Sequence, residues 1–235
     1  MTITDPPRIV SRRLGMPRSW TLESYLAEGG YEGLRAALAR TPEQVHEWVN
    51  TANILGRGGA GFEAGRKWGM LRPARPVYLT VNGDESEPAT FKDHALIEGD
   101  PHQLIEGSLI CAYAIGAAQV FIFVRGEFPL GIERVQAALN EAYAYGAVGR
   151  GIFGTEFSVD IVVHPGAGAY ICGEETALLE SLEGKRGYPR IKPPYFPAAI
   201  GLYGAPTIVN NVETVANLPW IMRNGGEEYA KLGEG

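Results

Sequence analysis

Cysteine is scarce in this chain of 235 residues, which holds Cys111 and Cys172 and no other thiol. Two thiols exclude both a disulfide framework and a four-thiolate iron–sulfur cluster. Long apolar runs are missing as well. The longest, Leu109 to Val124, is interrupted by Gln119 and falls short of the roughly 20 residues a membrane helix requires. It reads as a helix followed by a strand, and no direct membrane insertion is expected. The opening residues lack the apolar segment of a secretory leader, and Arg8, Arg12 and Arg13 lie in a proline-bearing stretch with no amphipathic length, which leads to the expectation of a cytoplasmic protein. Positive charge is also in deficit, with 21 bases against 27 acids and a net charge of -6. That balance argues against nucleic acid or an anionic membrane as the main partner and leaves small ligands and protein neighbours.

Glycine, by contrast, is abundant. The 31 glycines are roughly twice the usual share of about 7%, which points to backbone geometry at a site. They concentrate in Gly56-Arg57-Gly58-Gly59-Ala60-Gly61-Phe62 and again in Gly166-Ala167-Gly168-Ala169-Tyr170-Ile171-Cys172-Gly173, the latter running into Glu174 and Glu175. Between them lies an acidic turn, Asn82-Gly83-Asp84-Glu85-Ser86-Glu87-Pro88. Glycines let backbone N–H groups approach a phosphate, and carboxylates accept hydrogen bonds from sugar hydroxyls, so the set describes a nucleotide socket.

The length suits one large domain with an appended arm. Thr21-Leu22-Glu23-Ser24 resembles a capping box that opens a helix, with Gly29-Gly30 closing it. From Thr41-Pro42-Glu43 the positions Val45, Trp48, Val49, Ala52 and Leu55 follow helical spacing directly into Gly56. Three runs rich in β-branched and aromatic residues, Val77 to Val81, Val120 to Val124 and Val159 to Val163, alternate with helical stretches near Leu104 to Gly116 and Ile132 to Tyr145. A βαβαβ rhythm of this kind implies a mostly parallel, Rossmann-like α/β sheet whose ligands sit at the carboxyl ends of the strands. The acidic turn, Arg125-Gly126-Glu127 and the loop from His164 to Tyr170 follow the three strands in turn, so three loops converge on one edge. A helix from Glu174 to Leu182, a basic proline-rich loop from Lys185 to Pro197 and a helical stretch opened near Asn210 to Thr214 complete the chain. The expected division is a helical arm over 1–50, a nucleotide-binding α/β domain over 51–225 and the start of a linker over 226–235.

Gly56, Gly58 and Gly61 satisfy G-x-G-x-x-G, but the dinucleotide fingerprint needs a preceding strand and here a helix precedes, which rejects that reading. Arg57 and Lys67 place a planar cation and an ammonium beside the loop, suited to a phosphate or to a developing anionic ring. Asn210, Asn211 and Thr214 are suited to capping a helix or to holding a phosphate. His164 and Cys172 read as structural, since neither belongs to a metal-ligand spacing. Lys185, Arg186, Arg190 and Lys192 read as a solvated basic loop, with Tyr195 and Phe196 able to roof a pocket.

These motifs resemble the flavin-bearing, NADH-oxidising subunit of respiratory complex I, the F subunit of bacteria and the 51 kDa subunit of mitochondria. The resemblance runs from about Trp20 to Gly235 through GRGGAGF, Lys67-Trp68, NGDESEP, the FKD of Phe91 to Asp93, GAGAYICGEETALLESLEG and NNVET. It implies cofactor-binding residues Gly56, Arg57, Gly58, Gly59, Gly61, Phe62, Lys67, Asn82, Asp84, Glu85, Glu87, Tyr170, Gly173, Glu174, Glu175, Val209, Asn210, Asn211 and Thr214, serving FMN and NADH. Among them Phe62 and Lys67 would contact NADH, Glu175 would lie near the nicotinamide and Glu87 near the adenine ribose. Hydride transfer by stacking needs no dedicated catalytic side chain, and no metal site is expected.

The resemblance further implies a β-grasp domain and a 4Fe-4S domain that these residues do not supply, so the chain is expected to be the N-terminal part of the family's flavoprotein. Expected partners are the other proteins of the complex I peripheral arm, especially the 24 kDa-type 2Fe-2S protein and the large iron–sulfur protein (the bacterial E and G subunits), with localisation peripheral to the inner membrane through the complex. Diaphorase subunits of NAD-reducing hydrogenases and NAD-linked formate dehydrogenases share the motifs, and an FMN-binding or assembly module without turnover is a further alternative. Leu55 stands where the family usually has arginine, Met70 where it has an aromatic, and the loop at Pro194 to Pro197 is one residue longer. Which aromatics stack on adenine is therefore left open.

Overall fold

Strand β1 (Tyr78–Gly83), β2 (Gln119–Val124) and β3 (Asp160–Pro165) form where β-branched and aromatic residues cluster, because such side chains pack well on a pleated surface. A fourth strand, β4 (Thr207–Asn211), is not legible in the sequence. It is five residues long and ends in two asparagines, so its strand character comes from pairing with β1. The computed structural model describes residues 8–233; the first seven residues of the expected arm, and Glu234 and Gly235 of the expected linker, lie outside them.

Among the described residues the four strands make one parallel sheet in the order β3-β2-β1-β4. The chain moves outward from β1 through β2 to β3, then returns to the far side of β1 to lay down β4. The strand order therefore reverses between β1 and β4, where Val81 faces Asn210 and Asn82 faces Asn211. Open parallel sheets leave a crevice at such a reversal.

Helices α1 (Leu22–Ala27), α2 (Glu32–Leu38), α3 (Pro42–Ala52) and α4 (Ala64–Gly69) precede the sheet. Thr21 caps α1 by accepting from Ser24 N, while the reciprocal capping box belongs to α3, between Thr41 and Gln44. The expected box at Thr21 is thus a single cap, because Ser24 has no side chain long enough to reach back. The crossovers are α5 (Lys92–Gly99), α6 (Pro101–Ile115) and α7 (Pro129–Tyr145). Then come α8 (Glu175–Leu182), α9 (Val212–Ala216), α10 (Leu218–Asn224) and α11 (Gly226–Ala230).

Alternation along the strands divides the core. Leu79, Val81, Val120, Ile122, Val124 and Ile161 join the main core on one face with residues of α6 and α7, while Phe123 and Val209 join Leu178, Leu179 and Leu182 of α8 on the other. Tyr25, Tyr31, Leu34, Val45 and Val49, from the helical arm, belong to the main core as well.

Helix α6 is buried nearly all round, which explains its apolar run. Its polar residues are matched by partners. Glu106 accepts from Tyr31 N and Leu34 N, both at 2.8 Å, and from the Tyr25 hydroxyl, so it caps α2 from across the core. His102 bridges the Tyr31 hydroxyl and Glu141 at 2.9 Å each, and Gln103 donates to the Ala216 carbonyl at 2.9 Å. Such matching is the condition for keeping polar groups in a core.

Candidate functional site

The glycine loop is a closed excursion between α3 and α4. Asn53 ends α3 in the left-handed region, Leu55 pairs with Glu63, and the base is fixed by Gly56 N donating to the Phe62 carbonyl at 2.8 Å and Ala64 N to the Ile54 carbonyl at 2.9 Å. Gly59 and Gly61 have φ of 100° and 63°, which L side chains rarely adopt. A helix does lead into the loop, as expected, with the short segment Asn53 to Leu55 between. Arg57 N donates to Thr214 Oγ1 at 2.9 Å, and a Cβ on Gly58 would come 3.5 Å from that of Asn211. The loop thus lies against the residues that follow β4.

The acidic turn leaves β1. Asn82 stitches it to the second glycine loop, donating through Nδ2 to the Gly173 carbonyl at 2.9 Å while its Oδ1 accepts from Asp84 N at 3.0 Å. A Cβ on Gly173 would stand 3.3 Å from the Asp84 carbonyl, so glycine keeps the two loops in close approach. Burial raises the Asp84 carboxyl pKa, and the 2.5 Å hydrogen bond from Ser86 and the charge of Arg125 act against that rise. Glu85 turns inward and caps α5, accepting from Asp93 N and His94 N at 2.9 Å each. Glu87 accepts from the Tyr170 hydroxyl at 2.5 Å, and Phe62 and Tyr170 both stand exposed.

At the mouth, opposite charges alternate. Glu174 caps α8 through Oε2, which accepts from Thr176 N and Ala177 N at 2.9 Å, and its Oε1 accepts from Lys192 Nζ at 2.9 Å. Glu175 accepts from Lys192 at 2.8 Å and from Lys67 at 2.9 Å, and Lys67 also donates to the Val209 carbonyl at 2.8 Å. Burial raises the pKa of both carboxyls, but it is outweighed by Thr176 and Lys192 at Glu174 and by Lys67 and Lys192 at Glu175. Both therefore titrate below the ordinary glutamate range and are charged at neutral pH.

The loop from Lys185 to Lys192 is not simply solvated, contrary to what its composition suggests. Arg190 donates to Glu180 at 2.6 Å, Glu183 at 2.7 Å and the Gly201 carbonyl at 2.8 Å, and Lys192 clamps the two acids that open α8. The acids on and beside α8 face this loop, a fact its composition alone does not reveal. Tyr195 lines a groove of about 650 Å³ with Glu180, Glu183, Lys185 and Arg190; no lining residue of that groove comes from the strand-edge loops. Phe196 is exposed.

Asn210 is buried and donates to Cys111 Sγ at 3.5 Å. Asn211 caps α9, accepting from Glu213 N at 3.0 Å, and donates to Asp93 Oδ2 at 2.5 Å. Asp93 and Lys92 are additions to the site, absent from the residues nominated on sequence. Lys92 reaches Asp93 at 2.8 Å and Glu213 at 3.2 Å. The signal was present in the Phe91-Lys92-Asp93 motif. His164 stacks on Phe123 with centroids 5.4 Å apart, and burial lowers its pKa; Cys172 is buried. Both fit structural roles. Among the described residues no three His, Cys, Asp or Glu side chains cluster as a metal site.

The glycine loop and the segments that follow β1, β3 and β4 therefore meet at the reversal of strand order, which is where nucleotide-binding α/β domains hold their ligands. Comparison with known proteins narrows the class. Residues 49–220 match the Nuo51 FMN-binding domain, and the chain belongs to that family. It is 52% identical over 223 residues to the NADH-quinone oxidoreductase F subunit of Aquifex aeolicus, covering 94% of this chain and 52% of that protein. Over 228 residues it is 50% identical to the second NADH-quinone oxidoreductase F subunit of Rhizobium meliloti, covering 96% and 54%. The chain thus spans about half the length of the curated relatives it matches. Its fold is similar to that of an NAD+-reducing [NiFe]-hydrogenase solved in the H2-reduced state, with TM-score 0.77 and 38% identity over 87% of this chain and 35% of that one. No helix among the described residues is long and apolar enough to cross a membrane.

Proposed function

We propose that this chain is the NADH-oxidising flavoprotein module of an NADH-quinone oxidoreductase, holding FMN in the crevice between β1 and β4 and accepting hydride from NADH stacked upon it. The observation that carries the reading is the Lys67–Glu175 pair, which closes the crevice between two loops built for nucleotide contact within a chain of the FMN-binding family. The relatives near 50% identity are named as NADH-quinone oxidoreductase subunits, whereas the hydrogenase stands at 38%, so the complex I type is preferred over the diaphorase type.

The residues fit the cofactor. A Cβ on Gly59 or Gly61 would meet nothing within 4 Å, which leaves the outer edge of the loop open to a ligand. Arg57, Lys67, Asp84 and Glu87 offer donors and acceptors on either side of it. Bound FMN supplies the hydride acceptor. The chain's own residues bind and orient: Arg57, Asn82, Asp84, Gly173, Glu174 and Thr214 cradle the flavin nucleotide, with the backbone of Gly56, Gly58, Gly61 and Val209 beside it. Glu85, Asn210 and Asn211 hold that cradle from behind. Lys67 and Glu175 fix the nicotinamide end, while Phe62, Tyr170 and Glu87 meet the adenosine. Glu87 can accept from a ribose 2′-hydroxyl and repels a 2′-phosphate, which favours NADH over NADPH.

In this reading residues 51–225 form the cofactor domain. The partners of this module would be the 24 kDa-type 2Fe-2S protein and the large iron–sulfur protein of the complex, in an assembly peripheral to a membrane. The test is direct. The purified chain loaded with FMN should lose its flavin absorbance when NADH is added without oxygen; bound flavin that NADH leaves unbleached would mean a binding or assembly module, and a chain that takes up no flavin would refute the proposal.

A further inference from the structure

The wall behind the glycine loop carries two carboxylates that the cofactor reading leaves without a task. Arg57 N donates to Thr214 Oγ1 at 2.9 Å, which seats the loop on the first turn of α9. Glu213 precedes that threonine, and its Oε1 lies 3.9 Å from Arg57 Nε. Asp93, near the start of α5, accepts from Asn211 Nδ2 at 2.5 Å and from Glu213 N at 3.2 Å, so a second carboxylate reaches the same corner. The Asp93 side chain is only 5% exposed, too little for water to screen its charge. Both acids oppose any anion that the loop and Arg57 would hold.

Lys92 offsets both. Its Nζ lies 2.8 Å from Asp93 Oδ1, 3.2 Å from Glu213 Oε2 and 3.3 Å from Asn211 Oδ1. Three acceptors match the three protons of an ammonium, which fixes the charge between the two acids. Other cations of the crevice are committed elsewhere: Lys67 to Glu175, Lys192 to Glu174 and Glu175, and Arg125 to Glu127.

We infer that Lys92 makes this corner selective for a phosphorylated flavin, because it neutralises Asp93 and Glu213 and so lets the phosphate of FMN approach Arg57; this rests on the cofactor reading above. With Lys92 in place, two cations balance two carboxylates. Without it the corner is negative, and a phosphate monoester, with a charge of about -1.5 to -2 at neutral pH, is repelled. The influence is electrostatic and requires no contact between Lys92 and the ligand. Riboflavin has the same ring and ribityl chain but no phosphate, so it is indifferent to this charge.

Lys92→Gln removes the charge and keeps an amide able to donate. Its FMN dissociation constant should rise roughly tenfold, while that of riboflavin should not move. Lys92→Arg keeps the charge and should keep the wild-type ratio of the two affinities. Adding Glu213→Gln to Lys92→Gln restores the balance of charge and should recover most of the FMN affinity. Glu213→Gln alone leaves Lys92 in place and should tighten FMN without changing riboflavin. Equal weakening of both flavins in Lys92→Gln would overturn the inference, as would unchanged FMN affinity, a double variant weaker than the single one, or weaker FMN binding in Glu213→Gln. A wild-type chain that binds neither flavin would overturn the cofactor reading and this inference with it.

Discussion

Lys67 on α4 and Glu175 at the start of α8, far apart in sequence, meet at 2.9 Å across the mouth of the crevice. Each has a second partner. Lys67 also donates to the Val209 carbonyl of β4, and Glu175 also accepts from Lys192. The pair is about one quarter exposed on both sides, enough to be reached by a ligand and too little to be fully screened.

Glu174 and Glu175 are held below their ordinary value of 4.5. Groups of this kind stabilise the fold above the unfolded pKa, and their contribution is lost as pH falls through the folded one. Lys67→Met removes one of the two cations on Glu175, so its acid unfolding midpoint should move to higher pH, with a loss on the order of 1 kcal/mol at neutral pH. Circular dichroism across acid titrations of both proteins measures this, and coincident midpoints would refute it.

Asp100 has the opposite sign. It is buried beside Arg13 at 3.0 Å, and burial pushes its carboxyl up from 3.8 to about 7 in spite of that charge. Between those values the folded state retains a proton that the unfolded state has released, so stability from this group falls as pH rises through the window. Asp100→Asn should flatten the dependence of melting temperature on pH between about 4 and 7 relative to wild type, by an amount worth a few kcal/mol at most. Parallel curves would exclude the assignment.

Glu87→Gln removes the negative charge that meets the adenosine ribose in the proposed site and leaves a group able to accept from Tyr170. The ratio of NADPH to NADH turnover should rise about tenfold, read as kcat/KM for both nucleotides. An unchanged ratio would place the ribose elsewhere.

Glu85→Ala strips the cap from α5 and leaves Asp93 N and His94 N without their acceptor. Chemical denaturation should register a loss of about 1–3 kcal/mol. If stability holds and flavin affinity alone drops, Glu85 acts on the ligand and not on the helix.

Much of the scaffold was readable because the signals are local. Three strands and the long helices α6 and α7 announce themselves by composition and period, and the glycine loop, acidic turn and Gly166 to Glu175 segment are dense enough to mark the site. What escaped has weak local signal. The short helices α2, α4, α5, α10 and α11 carry few turns each, and β4 exists through its pairing with β1. The part played by Lys192 was misjudged because a basic loop looks the same in sequence whether it faces water or two glutamates.

The sequence by itself determined the chemistry on offer: glycines with left-handed backbone, clustered carboxylates, two fixed cations and too few thiols for an iron–sulfur cluster. It also determined the alternation that lays a parallel sheet, since side-chain period and strand length are properties of neighbouring residues. The tertiary structure decided which of those groups meet. Returning the chain from β3 to the far side of β1 creates the crevice, sets Asn82 opposite Asn211, brings Lys67 to Glu175 and turns Glu85 inward to cap α5. The pairings across the crevice join residues far apart in the chain, and no local propensity encodes them; they follow from burying both faces of one sheet.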